Sequence, residues 1–482
     1  MSSLNSPGTR RCESAHALKV LMVAAECAPY VKTGGLADAV AGLSGALAAS
    51  GHDVRILMPH YACATLPGVR ADQLNLGDGS RLNVYRAEDQ TRVYMHARVN
   101  EPDLDVVYTG DRRDGERFIA LAEAAAAFAT ATQWHPDVVH CHDWHAALVP
   151  DSLKAAGDDQ TPTVLTLHNI GYQGSFGNDI LTAARSRKLA RRLHKGNEPL
   201  NFLRHGIIEA DAVTTVSPTY AREILSPQYG MGLEDLIGQR AAALSGILNG
   251  VDYDTWDPRT DPFIARHYSE PDPSAKFSIK QALCQQIGLE QATDRPIIGI
   301  VSRLAEQKGI DIFSSALDRL VAETDAVFAV LGSGHPDLEH DLRARTRQFP
   351  DRIAFRSGHD ESLAHLIIGG SDFLLIPSRY EPCGLTQLYA LRYGTIPIVR
   401  KTGGLADTVE HFNPATGKGN GCVFNDPDIG AILWAVSTAL HWYRNEGAWR
   451  KLMTNAMSAD HSWSQRVDAY ANLYSRLMQL AG

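Results

Sequence analysis

No stretch of this 482-residue chain is long and apolar enough to span a bilayer as a helix, so a reading built on membrane helices is excluded. No C-x-x-C pair occurs among the seven cysteines (Cys12, Cys27, Cys63, Cys141, Cys284, Cys383, Cys422). An odd, scattered set of this kind fits reduced thiols in a cytosolic enzyme better than a disulfide framework or a zinc site. Positive charge is not in excess: 46 Lys and Arg stand against 55 Asp and Glu, a net charge of −9. That balance argues against a nucleic-acid partner and leaves any anionic ligand dependent on a local basic pocket. There is no G-x-G-x-x-G after a strand and no P-loop, so neither a nicotinamide enzyme nor an ATPase is supported. Residues 1–17 are polar and contain Arg10-Arg11 but no apolar core behind them. A twin-arginine export signal is therefore not supported, and the segment reads as a disordered extension.

What is present is a globular composition, 44% apolar with 40 glycines, in a chain longer than one core usually supports. Apolar runs alternate with helix-compatible segments. Strands are expected at 18–25, 54–58, 104–109, 138–142, 164–167, 212–216 and 246–249. Helices are expected at 36–47 (Leu36, Val40, Leu43 and Leu47 on one face), at 118–132 and from Trp144. Such alternation predicts a parallel, doubly wound sheet. Residues 252–294 break the rhythm with Asp257-Pro258, Asp261-Pro262 and Pro271-Asp272-Pro273, which reads as a crossing between domains. The rhythm restarts with strands at 296–301, 326–331, 352–357 and 373–377. The expected division is 1–17, 18–252, 253–460, and a closing amphipathic helix in 461–482 that packs back on the first domain.

The densest motif is Ser378-Arg-Tyr-Glu-Pro-Cys-Gly-Leu-Thr-Gln387, between an apolar strand and a helix-compatible run. Loops at the carboxyl ends of parallel strands are where open α/β sheets bind ligands. Unpaired amides of Gly384, Leu385 and Thr386 at a helix start suit an anion, with Glu381 beside them. Lys32-Thr-Gly-Gly-Leu-Ala-Asp38 sits in the equivalent position after the first strand, its glycines permitting close backbone approach and Lys32 adding a cation. Lys401-Thr-Gly-Gly-Leu-Ala-Asp407 repeats it letter for letter. The echo marks either two glycine loops facing one cleft or a coincidence of two strand-to-helix turns. Other strands end in His142-Asp143-Trp144-His145, His168-Asn169 and Asn249-Gly250-Val251-Asp252. His140 to His145 imitates a metal cluster but fits no common zinc spacing. Asp103-Leu-Asp105, Asp252-Tyr-Asp254 and Asp426-Pro-Asp428 imitate metal-binding Asp-x-Asp by chance.

Taken in order, these motifs resemble those of the bacterial glycogen synthases and plant starch synthases, from about Lys19 onward. The resemblance implies a GT-B fold, two Rossmann-like domains facing a central cleft: an acceptor and glycine-loop domain first, then a nucleotide-sugar domain. It implies retaining transfer of glucose from ADP-glucose to the non-reducing end of an α-1,4-glucan, in the cytoplasm, with no cofactor or metal. By the same resemblance, Glu381, His168, Arg303, Lys308, Asp143 and Cys383 form the catalytic set. Lys32, Gly34, Gly35, Asp38, Asn249, His359, Gly384, Leu385 and Thr386 bind substrate. Lys32, Arg303 and Lys308 meet the diphosphate, while Glu381 and Asp143 face the oxocarbenium-like ring. The family usually stacks an aromatic residue on the base where this chain has His359. The choice between ADP-glucose and UDP-glucose thus stays open, as does a glucan- or nucleotide-sugar-binding protein without turnover.

Overall fold

The structure, a computed structural model, describes residues 17–62, 70–75, 81–86, 93–98, 106–194, 196 and 198–481. The apolar strand Lys19–Val23 lies at the centre of a nine-stranded sheet. Its spatial order is Leu244–Gly246, Ala212–Thr215, Thr163–Leu167, Val138–His142, Lys19–Val23, Asp53–Pro59, Val93–Arg98, Arg81–Arg86, Arg70–Asn75. Pairing is parallel as far as Val93–Arg98, and antiparallel for the last two strands. The sequence led us to expect a strand at 104–109. Its described part, 106–109, is bend and coil, and the sheet is extended instead by a meander of the strands Arg70–Asn75, Arg81–Arg86 and Val93–Arg98. That meander escapes a search for apolar runs because its strands are polar at alternate positions.

The second sheet is entirely parallel, in the order Ile353–Ser357, Val327–Gly332, Ile297–Val301, Phe373–Ile376, Ile396–Arg400, Cys422–Phe424. Numbered along the chain this is 3-2-1-4-5-6, the doubly wound order, whose connections reverse direction between Ile297–Val301 and Phe373–Ile376. In the first sheet the corresponding reversal falls at Lys19–Val23 and its neighbour Val138–His142. The loops leaving these four strands carry Lys32, Asp143, Arg303 with Lys308, and Glu381.

The expected linker holds a helix, Lys276–Ile287. Its inward face carries two lysines, which hid it from a search for apolar periodicity. Lys276 Nζ donates to the Gly369 carbonyl (2.7 Å) and Thr395 Oγ1 (2.6 Å), and Lys280 pairs with Asp372 at 2.7 Å. The last segment turns at Trp463–Gln465 and forms the helix Val467–Ala481. Trp463, Val467, Tyr470, Tyr474 and Leu477 pack into the same apolar cluster as Val40, Leu43 and Leu47 of helix Gly35–Ala49. The returning chain runs beside the outgoing one, Ser462 bridging to Val251. Among the described residues no helix is long and apolar enough to cross a membrane. Residues 1–16 of the N-terminal extension (Cys12 among them), Cys63 and Asp103–Asp105 lie outside the described residues.

Candidate active site

On the first-domain side the loop after Lys19–Val23 is shaped by a carboxylate that the motif search passed over. Glu26, 3% exposed, accepts hydrogen bonds from the Thr33 amide (2.5 Å), Thr33 Oγ1 (2.6 Å), the Gly34 amide (3.3 Å) and the Tyr108 hydroxyl (3.0 Å). Burial raises its pKa, and these donors only partly offset that. Thr33, Gly34 and Gly35 stay exposed above it. Lys32 reaches between Asp38 (3.1 Å) and Glu361 of the second domain (3.3 Å). Burial works to lower the Lys32 pKa, but the two carboxylates prevail and raise it, so the cation is secure.

The loop after Val138–His142 places Asp143 in the left-handed backbone region, φ 57°, uncommon for a residue other than glycine. The reward is local: Asp143 Oδ1 accepts from the amides of His168 (2.7 Å) and Asn169 (3.2 Å), locking two strand ends together. Burial nevertheless raises its pKa to about 7. His168 is held below by His142, Nε2 to Nδ1 at 3.0 Å, and burial lowers its pKa to about 3, leaving a neutral imidazole. Behind it, His140 bonds the Tyr474 hydroxyl (2.7 Å) and Thr166 Oγ1 (2.6 Å). Of the histidines that imitate a metal cluster, His140 and His142 are thus engaged with hydroxyls and with His168, while His145 packs against the rings of Tyr108, Phe118 and Trp144. Among the described residues no group of three His, Cys, Asp or Glu is placed to hold a metal ion.

Across the cleft, Glu381 is 6% exposed, and its Oε2 receives Lys308 Nζ at 2.6 Å and Ser378 Oγ at 2.9 Å. The pair is only partly buried on the lysine side, and Glu381 loses its one charged partner among the described residues if Lys308 is removed. Arg303, exposed on the same loop as Lys308, donates to the first domain's Tyr172 hydroxyl (2.9 Å) and to Gln307 Oε1 (3.1 Å). A cavity of about 500 Å³ opens beside it, lined in part by Ser333, Gly334, His335 and Asp337. Cys383 is buried, which pushes its thiol up to about 12, so it is no thiolate nucleophile. Asn249, 4% exposed, bonds Cys383 through its backbone, while its side-chain oxygen lacks a hydrogen-bond partner among the described residues. Gly384, Leu385 and Thr386 are half-buried at the start of helix Thr386–Arg392, and Leu385 faces Gly35 over the cleft. His359 stands exposed on the turn before helix Glu361–Gly370, two residues from the carboxylate that holds Lys32.

The fold therefore gathers Lys32, Asp38, Gly34 and Gly35 with Leu385 across the gap. It joins Lys308 to Glu381, Asn249 to Cys383, and Asp143 to His168. No hydrogen bond or ion pair among the described residues ties His359 or Arg303 to the other residues expected to bind ligand. Sequence reading missed Glu26, Glu361 and Tyr172. Glu26 alone left a signal, as the single acid in the apolar run Val23 to Val31. Of the two readings of the repeated glycine loop, that of two loops facing one cleft does not hold, because Thr402, Gly403 and Gly404 are buried. Gly404 donates from its amide to the carbonyls of Glu381 (3.0 Å) and Pro382 (3.1 Å).

The chain matches known proteins along almost its whole length. A family model described as "Starch synthase catalytic domain" matches residues 19–239, and one described as "Glycosyl transferases group 1" matches residues 286–451. A "Glycogen synthase" of Anaeromyxobacter sp. (strain Fw109-5) is 42% identical, the match covering 95% of this chain and 99% of the relative. One from Roseobacter denitrificans is 41% identical, covering 96% and 100%. Among solved structures, the catalytic domain of starch synthase IV from Arabidopsis thaliana, bound to ADP and acarbose, superposes with a TM-score of 0.87. It shares 34% identity and covers 96% of this chain and 100% of its own. Sucrose-phosphate synthase from Thermosynechococcus elongatus, 19% identical with a TM-score of 0.57 and coverage of 96% and 98%, shares the fold.

Proposed function

The chain belongs to the glycogen and starch synthase family of GT-B glucosyltransferases, and on that premise we propose how its cleft carries out the transfer. It moves glucose from ADP-glucose to the non-reducing end of an α-1,4-glucan with retention of configuration, releasing ADP. The observation that carries the residue assignments is that the four loops at the two sheet reversals carry complementary groups, two of them joined by the Lys308–Glu381 pair and two facing each other at Gly35 and Leu385. Cations and amides come from Lys32, Arg303, Lys308 and Gly384 to Thr386. Carboxylates come from Glu381 and Asp143.

In this reading the bond from the anomeric carbon to the diphosphate oxygen breaks with its electron pair leaving on the diphosphate. Lys32, Arg303, Lys308 and the amides of Leu385 and Thr386 meet the charge that develops there. Fixed donors in a closed site need no reorganisation at that moment. Glu381 and Asp143 stabilise the oxocarbenium-like ring. His168, neutral at physiological pH, and Asn249 orient sugar hydroxyls. Cys383, a protonated thiol, shapes the wall. The acceptor hydroxyl attacks the face the diphosphate leaves, and its proton passes to the departing phosphate oxygen. The Glu381 carboxylate, tied to Lys308 and Ser378, is better placed as a charge than as a nucleophile. Lys32 and Arg303 already contact the opposite domain, and closure on the donor excludes water that would otherwise hydrolyse it. No cofactor or metal enters the reading, and we place the enzyme in the cytoplasm, its thiols reduced.

The test is transfer of labelled glucose to glycogen from ADP-glucose and UDP-glucose in parallel, with a chelator present. Faster transfer from ADP-glucose that withstands the chelator is the expected result. Preference for UDP-glucose overturns the donor, and no transfer from either overturns the enzyme. A glucosyl ester on Glu381, trapped with a slow fluorinated donor, rules out same-face attack.

A further inference from the structure

The second glycine loop is the place where the first domain takes hold of the backbone that carries Glu381. Helix Pro218–Glu223 of the first domain packs along helix Gly403–Thr408 of the second. Each helix supplies a carboxylate to the start of the other. Asp407 accepts from Ser217 Oγ (2.5 Å), the Thr219 amide (2.9 Å) and Thr219 Oγ1 (2.6 Å), at the start of the first helix. Glu223, at the end of that helix, accepts with both carboxylate oxygens from the Gly403 amide (3.1 Å each) and from Thr402 Oγ1 (3.1 and 3.3 Å). One residue further on, the Gly404 amide grips the carbonyls of Glu381 and Pro382. Gly403 adopts φ 43°, with the Glu381 carbonyl packed where a side chain would begin. Arg400, on the strand before the loop, donates to the Arg379 carbonyl (2.5 Å) and reaches the first domain's Tyr229 hydroxyl (3.4 Å).

We propose that Glu223 is a positioning residue for the transfer reaction: through Thr402, Gly403 and Gly404 it fixes the Glu381 backbone only while the two domains are docked. The proposal rests on the reading of Glu381 given above. The chain of contacts is short and directional. A first-domain carboxylate holds the loop, the loop amide holds the Glu381 and Pro382 carbonyls, and the Glu381 side chain projects to Lys308. Docking of the domains and placement of the charge beneath the sugar become one event. A displacement of about 1 Å in a reacting geometry is enough to cost about 100-fold in rate.

The test uses the full chain with ADP-glucose and glycogen, measuring kcat, the KM for ADP-glucose and the thermal midpoint together. Glu223→Ala is expected to lower kcat by about 10- to 100-fold, with the KM changed less than about twofold. Glu223→Gln, which keeps one oxygen acceptor, recovers part of the loss. Thr402→Val, which deletes a single hydroxyl, gives a smaller drop of the same kind and serves if the alanine variant fails to fold. A kcat within about twofold of wild type in Glu223→Ala and Thr402→Val overturns the proposal. So does a loss that moves with the thermal midpoint and vanishes on cooling. Wild-type protein is assayed beside them: its failure to transfer glucose would sink the functional reading, whereas wild-type activity matched by the variants sinks only the positioning role.

Discussion

Lys32–Asp38 and Lys401–Asp407 have the same seven residues, the same place after a parallel strand, and opposite uses. In both, a glutamate carboxylate accepts from the threonine hydroxyl and from backbone amides at the loop: Glu26 for Thr33 and Gly34, Glu223 for Thr402 and Gly403. The difference is where the glutamate comes from. Glu26 belongs to the loop's own domain and lies beneath it, so Thr33, Gly34 and Gly35 face outward. Glu223 comes from the opposite domain and covers its loop, so Thr402, Gly403 and Gly404 are interior. A short motif specifies an affinity for carboxylate but not one backbone shape, since Gly34 is extended (φ −160°) where its counterpart Gly403 is left-handed (φ 43°). Which surface it presents is decided by the partner that tertiary structure brings.

The sharpest test of this contrast substitutes the two lysines. Lys32→Ala should lower kcat/KM for ADP-glucose by about 100-fold, as loss of a leaving-group cation does. Lys401→Ala, at an exposed position outside the cleft, should leave it within twofold. Equal effects would mean the buried loop also meets ligand. The glycines give the next largest effect. Gly403→Ala must accommodate both φ 43° and a collision with the Glu381 carbonyl, and should cost about 1–3 kcal/mol of stability. Gly34 is in extended backbone with open space around it, so Gly34→Ala should keep the wild-type thermal midpoint while weakening donor binding.

The smallest effect concerns pH. Burial raises the pKa of Glu26. The folded state therefore holds that proton more tightly than the unfolded chain does. The resulting stabilisation is complete below the ordinary glutamate pKa, 4.5, and is lost as pH rises through the folded value. Glu26→Gln should flatten the decline of the thermal midpoint as pH rises above 4.5. An unchanged slope would remove Glu26 as its source.

Much of the fold was legible because buried parallel strands are near-continuous apolar runs: Val138–His142, Thr163–Leu167, Ile297–Val301 and Phe373–Ile376 were found within a residue or so of their ends. What was missed has a physical pattern. The three-strand meander is half polar, and helix Lys276–Ile287 turns two lysines inward. The strand expected at 246–249 falls instead at Leu244–Gly246, and beyond it, among the described residues, only the Ile247 amide still pairs with the neighbouring strand, donating to the Thr215 carbonyl (2.8 Å). In the site, groups that sit inside a compact motif of their own loop, such as Lys32 and Glu381, could be read from sequence. Glu361, Tyr172 and Glu223 act through pairings that span more than 130 residues of chain, and no local spacing announces those.

The returning strand at Ser462, lying beside the outgoing one at Val251, means that the second domain is threaded into the first as an insertion. During synthesis this sets an order of assembly. Val40, Leu43 and Leu47 emerge from the ribosome early, with Val20, Met22 and Val54 of the same apolar cluster, but that cluster is completed only when residues 463–477 have followed. The domain begun first is thus the one completed last, and the cleft closes around a half that has been waiting for its final helix.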